Sequence, residues 1–149
     1  FGRDGVTFML ILFGLGAVVG NILGGFLTDR VGGFRTLIVL CVAQMAVLPV
    51  FSLLPFPEAL VAVVMFGWSM IGWSFMVPQQ ARLVELAPDQ QNVVLSLNSA
   101  SIYLGASLGS ALGAVVISTW SIAASGVAAA IAMAAAFTHL LLSAAVQQK

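Results

Sequence analysis

Charge is what this sequence has least of. Five basic and five acidic side chains make up 7% of 149 residues and cancel to zero net charge. No cationic face exists on which a nucleic-acid backbone would settle, so that class of partner is set aside. Cys41 is the single cysteine, which excludes an intrachain disulfide and a multi-cysteine metal site; it reads as a small apolar packing residue. There is one histidine, His139. Asp4, Asp29, Glu58, Glu85 and Asp89 all fall at the ends of apolar runs or between them. A nucleophile with its base, a carboxylate pair or a metal cluster cannot be assembled inside such a chain, so neither an enzyme nor a bound cofactor is expected.

What fills the space is hydrocarbon. Hydrophobic residues make up 61% of the chain and the mean hydropathy is +1.13, far outside the range of a soluble domain. A spanning helix needs about 20 predominantly apolar residues, and runs 6–27, 36–54, 59–77, 90–117 and 122–145 meet that length. The expected fold is an all-α integral membrane region of about five transmembrane helices.

Each run has its own character. The first carries Gly16, Gly20 and Gly24 at four-residue spacing, a stripe that lets another helix approach closely, and Asn21 beside it needs a hydrogen-bond partner at that depth. The second is interrupted by Gln44 and by Pro49, which should bend it; Pro55, Pro57 and Glu58 end it. Met65, Phe66, Trp68, Met70, Trp73, Phe75 and Met76 crowd the third, which leads through Pro78 to Gln79, Gln80 and Arg82. Asp89 is placed to cap the fourth. There Gly105, Gly109 and Gly113 form a second packing stripe, while Ser99, Tyr103, Ser107 and Ser110 lie nearly opposite. The fifth run is largely alanine and ends in Gln147, Gln148 and Lys149, which reads as a C-terminus.

Between the first two runs stands a short charged segment, Gly25-Phe26-Leu27-Thr28-Asp29-Arg30-Val31-Gly32-Gly33-Phe34-Arg35. Asp29 falls at the C-terminal end of a helix, where the macrodipole disfavours an anion unless a cation compensates it, and Arg30 and Arg35 are the near candidates. Gly32 and Gly33 can take the left-handed backbone that ends a helix and turns the chain. The segment resembles the loop between the second and third helices of each half of a major facilitator superfamily transporter, whose pattern is Gly-x-Leu-Ala-Asp-Arg-x-Gly followed by basic residues. Gly25, Leu27, Asp29, Arg30 and Gly32 fall on that pattern in register, with Thr28 in place of Ala. Gly33 and Phe34 replace two usually basic positions, leaving Arg35 as the only cation after the turn.

Cations set the orientation. With alternating loops, Arg30, Arg35, Arg82 and Lys149 share one side and Arg3 has the other, so the positive-inside rule puts loop 28–35 and the C-terminus in the cytoplasm of a plasma (inner) membrane. The chain starts at Phe1 and offers five helices where the resembled halves have six, which implies missing N-terminal helices. The resembled N-terminal half usually carries a buried arginine in its fourth helix and a glycine-proline signature in its fifth; the corresponding helices here have neither. With the weakened motif and the end at Lys149, this favours helices 8–12 of a twelve-helix transporter.

The resemblance, with the Pro-x-Gln run and the glycine-rich fourth helix, is to efflux-type antiporters of drugs or sugars. It implies a secondary carrier in which two six-helix bundles rock about a midplane site, exporting a small amphipathic molecule with protons as coupling ion. Gly25, Asp29, Arg30, Gly32 and Arg35 would form the gating loop. A candidate substrate path is Met65, Ser69, Trp73 and Met76 on one helical face, adaptable and aromatic, with Asn98 and Tyr103 from the next helix. Proton coupling normally needs a titratable group within the membrane. Since no acid lies there, the carboxylate is expected in the missing part, and His139 reads as interfacial or packing. An uptake carrier for a small metabolite, a channel and a non-transporting scaffold are the alternatives.

Overall fold

A computed structural model describes residues 2–147, and these are helical almost throughout. Helix α1 covers Arg3–Val31 and α2 Gly33–Val47, the latter tightening into a 3-10 turn at Leu48–Leu53. Helices α3 (Glu58–Trp73) and α4 (Met76–Leu86) are two halves of one span, followed by α5 (Gln91–Thr119) and α6 (Ala124–Gln147). Among the described residues, five spans are long and apolar enough to cross a bilayer.

Helix α1, with 29 residues, is about 44 Å long at 1.5 Å per residue, so it overreaches a hydrocarbon core of about 30 Å. It runs beyond the expected end at Leu27 because nothing in Thr28-Asp29-Arg30-Val31 stops it. Gly32 does: its φ of 87° with ψ 155° lies in a positive-φ region that glycine adopts freely, and its N–H donates to the Thr28 carbonyl at 2.9 Å. Gly33 does not share that role. It is already the first residue of α2, buried where an added Cβ would lie 3.0 Å from the Pro78 carbonyl. The expected charged loop over 28–35 is therefore a one-residue link between two helices.

Prolines shape the next two spans. Pro49 has no N–H for the α-helical ladder, and α2 passes into its 3-10 turn there. In the third span the helix does not stop at Val77 as its apolar run suggested; it breaks at Ser74 and Phe75 and resumes through Leu86. Pro78 explains the position, because its missing N–H would have bonded the Ser74 carbonyl four residues back. Gln79, Gln80, Arg82 and Glu85 are consequently helical rather than in a loop. Asp89 lies in a 3-10 turn, Pro88–Gln90, and its side chain caps neither that turn nor α5, whose N-cap position is Gln90. The expected Asp89 cap is not made, since the 3-10 turn moves the helix start one residue on, to Gln91.

The tightest helix pairing is α1 on α3. Gly16, Gly20 and Gly24 are buried with carbonyls of α3 directly over them: a Cβ on Gly16 would stand 2.8 Å from the Phe66 oxygen, and on Gly20 or Gly24 it would collide with the Met70 or Ser74 oxygen. Asn21 finds its partner locally, donating to the Ala17 carbonyl at 3.2 Å. The stripe on α5 is different. Gly105, Gly109 and Gly113 have open space where a Cβ would be and line a groove of about 720 Å³ facing Ala128, Ala129 and Ala132 of α6. At this same N-terminal end α6 seats Gly126 against the Leu48 carbonyl and Ser52, whose hydroxyl accepts from the Val127 N–H at 3.0 Å. Leu37, Cys41 and Leu140 form a buried cluster between α2 and α6. Large apolar side chains such as Leu10, Ile22, Val63 and Leu112 are otherwise exposed, as suits a surface whose solvent is lipid or further helix.

Candidate substrate path and gating end

The charged end is built by the last turn of α1 and the first of α2. Asp29, Arg30 and Arg35 are all exposed. Arg30 lays its guanidinium over the Phe26 ring, 4.3 Å from the centroid, and sits in the last turn, where a cation complements the helix dipole. Neither Arg30 nor Arg35 compensates Asp29 through an ion pair among the described residues. Gly25 faces α4, with Val77 at ordinary contact distance. The sequence pattern places Asp29 and Arg30 side by side on a helix, where adjacent residues point away from one another; this is why their proximity in the chain does not make them partners.

Substrate-path candidates separate into three groups. Met76 and Asn98 are brought together, lining a small cleft of about 150 Å³ between α4 and α5 with Phe75, Gln79 and Ile102. Trp73 is 40% exposed and Tyr103 75% exposed, each open to whatever lies beside the helices, and Met65 is half-buried. Ser69 is turned away from any opening: it is 2% exposed and donates to the Phe13 carbonyl of α1 at 2.6 Å. Ser99 and Ser107 donate to carbonyls of their own preceding turn, at 3.0 Å in each case, the local bonding that serines in apolar helices commonly adopt.

Several polar groups outside the expected site prove to be central. Ser74 is fully buried, and its hydroxyl lies 2.8 Å from the Gly20 carbonyl and 2.7 Å from that of Met70. Gln44 is buried beside Gly72 with its Oε1 unpartnered, and the Trp68 indole N–H, wedged between Phe13 and Phe51, is also unpartnered. The signal for Gln44 was available, a polar amide in an apolar run. By sequence Arg82 is only a cation beyond the third apolar run, yet it bonds Ser143 of α6 at 2.9 Å and covers the Phe34 ring at 5.1 Å, which places it at the same end as Gly32. Among the described residues no group of three or more His, Cys, Asp or Glu side chains is arranged to hold a metal.

A family model, the Major Facilitator Superfamily, matches residues 1–148. The chain belongs to this superfamily. Curated relatives agree: it is 34% identical over 115 residues to "Inner membrane transport protein YdhP" of Escherichia coli K12, covering 76% of this chain and 29% of that protein. It is 30% identical over 115 residues to "Uncharacterized MFS-type transporter YbcL" of Bacillus subtilis 168, covering 77% and 30%. A "Probable sugar efflux transporter" of Helicobacter pylori 26695 is 33% identical over 121 residues, covering 78% and 30%. The chain thus spans about three-tenths of the length of these relatives. No solved structure matches it. Superfamily membership agrees with the all-α fold and with the five helices long and apolar enough to cross a membrane.

Proposed function

We propose that this chain supplies helices 8–12 of a proton-coupled carrier that exports a small amphipathic molecule, a drug or a sugar, by alternating access. Superfamily membership carries the reading, and the relatives named as probable sugar efflux transporters favour efflux over uptake. The charged end supports a gating role. Asp29 and Arg30 are exposed and leave their ion-pairing capacity free, so a facing bundle can engage them in one state and release them in the other. That end, with Arg35 and Arg82, is the cytoplasmic one by charge; Lys149, which also entered that count, lies outside the described residues.

Within the chain, the cleft holding Met76 and Asn98, flanked by exposed Trp73 and Tyr103, is the surface offered to substrate. It combines an adaptable thioether and aromatic faces with one amide, chemistry suited to a ligand with few obligatory hydrogen bonds. Every acidic side chain among the described residues lies in a terminal turn or a linker, so the coupling carboxylate belongs to helices outside this chain.

The test is efflux of a panel of lipophilic cations and small sugars from vesicles holding the complete protein. Gradient-dependent flux that slows in Asp29→Asn is the expected result. Gradient-independent, non-saturating flux would make it a channel, and unchanged rates in Asp29→Asn would remove the gating role.

A further inference from the structure

Between α2, α4 and α6 lies a pocket of about 470 Å³ that the transport reading leaves unused. Its polarity is graded along the helix axes. Arg82 and Ser143 each stand four residues from the ends of α4 and α6, about 6 Å along the axis, at the level where a helix leaves the hydrocarbon. Gln79 and His139 line the next turn in. Cys41 stands at the same depth as His139, and deeper still the walls are Phe75 and Met133, the last some 21 Å from the end of α6 at 1.5 Å per residue.

Arg82 is under-used. Its guanidinium carries five N–H donors, of which one goes to Ser143; the Ser143 proton is committed to the Leu140 carbonyl at 2.8 Å, so the hydroxyl can only accept here. Phe34 covers the guanidinium at 5.1 Å. Among the described residues no carboxylate lines the pocket, and Glu85, three residues on, is exposed and outside it. A half-buried cation at the interfacial mouth of an apolar slot, without an anion of its own, calls for an anionic group attached to a chain.

We propose that this pocket binds an anionic phospholipid, its phosphate on Arg82 and His139 and one acyl chain along Phe75 and Met133. A cationic site between helices at headgroup depth recognises lipid phosphate by the same charge-assisted hydrogen bonds that Arg makes elsewhere. The proposal rests on the membrane reading of the chain and not on any substrate.

The experiment is lipid retention by the full-length protein in detergent, read by native mass spectrometry after titration with phosphatidylglycerol or phosphatidylcholine. Phosphatidylglycerol is expected to bind about fivefold tighter or more, the scale of one cation at the membrane surface. Arg82→Gln should abolish that preference, while Arg35→Gln, an exposed cation near the same end, should leave it. Met133→Trp, which fills the deep part, should weaken both lipids and keeps the test valid if Arg82→Gln does not fold. An unchanged preference in Arg82→Gln, equal binding of the two lipids, or displacement by millimolar inorganic phosphate alone would each overturn the proposal. Transport assays do not enter the readout, so failure here and failure of the carrier reading are separable.

Discussion

Ser74 and Gly20 show how finely the α1–α3 contact is made. The Ser74 hydroxyl has one proton and two carbonyls within reach, Gly20 across the interface and Met70 in its own turn, so its loss is partly absorbed by sharing. Ser74→Ala should cost about 0.6 kcal/mol, the average for interhelical hydrogen bonds in membranes. Gly20→Leu should cost far more than that, at least the ~1–3 kcal/mol of an overpacked core, because the obstacle is the Met70 backbone rather than a movable side chain. Gly14→Leu is the control, since nothing lies within 4 Å of a Cβ there. Unfolding midpoints of the full-length variants in detergent check the order: Gly20→Leu lowest, Ser74→Ala slightly below wild type, Gly14→Leu unchanged.

At the scale of the element, the broken third span matters most. Pro78 frees the Ser74 carbonyl, and that oxygen is the one seated on Gly24, so the kink and the glycine stripe are fitted to one another. Pro78→Ala restores the missing N–H and should straighten α3 and α4 into one rod. The spin-label distance between Val63 and Leu86, both exposed, should lengthen, and stability should fall as Ser74 lifts from Gly24. An unchanged distance would mean that packing alone holds the bend. The apolar run gave no notice of this. No charged residue interrupts it through Trp73, Ser74 and Phe75, and Pro78 lies four residues past the point that it breaks. The α1 stripe was readable because glycines at every fourth position have one strong use in lipid. The α5 stripe has the same spacing yet faces an open groove, since spacing says which face is smooth and not what covers it. Asp89 misled for a related reason: a cap needs the helix to begin next to it, and a 3-10 turn intervenes.

For the whole molecule, the five spans and the family were legible because bilayer thickness imposes a length on every apolar run. The charged end was legible as a motif but not as a geometry, because the sequence suggests a loop where the helix simply runs on. Arg82 was placed outside the helices and thereby missed as a pocket residue. Orientation can be measured directly. Cys41 is buried, so the native background to a thiol label is low. Arg35→Cys should react with an impermeant maleimide only after the membrane is opened, and Glu58→Cys before; the reverse pattern would invert the topology.

Gly32 alone separates α1 from α2, and this constrains how the protein is made. A nascent chain with a long loop can lodge one span before the next emerges. Here the two helices have no slack between them, so they must enter the bilayer as a folded hairpin, with Asp29, Arg30 and Arg35 held back together at its bend. A few residues inserted at Gly32 would let the two spans be threaded singly, and topogenesis rather than the finished fold is where that change should first be felt.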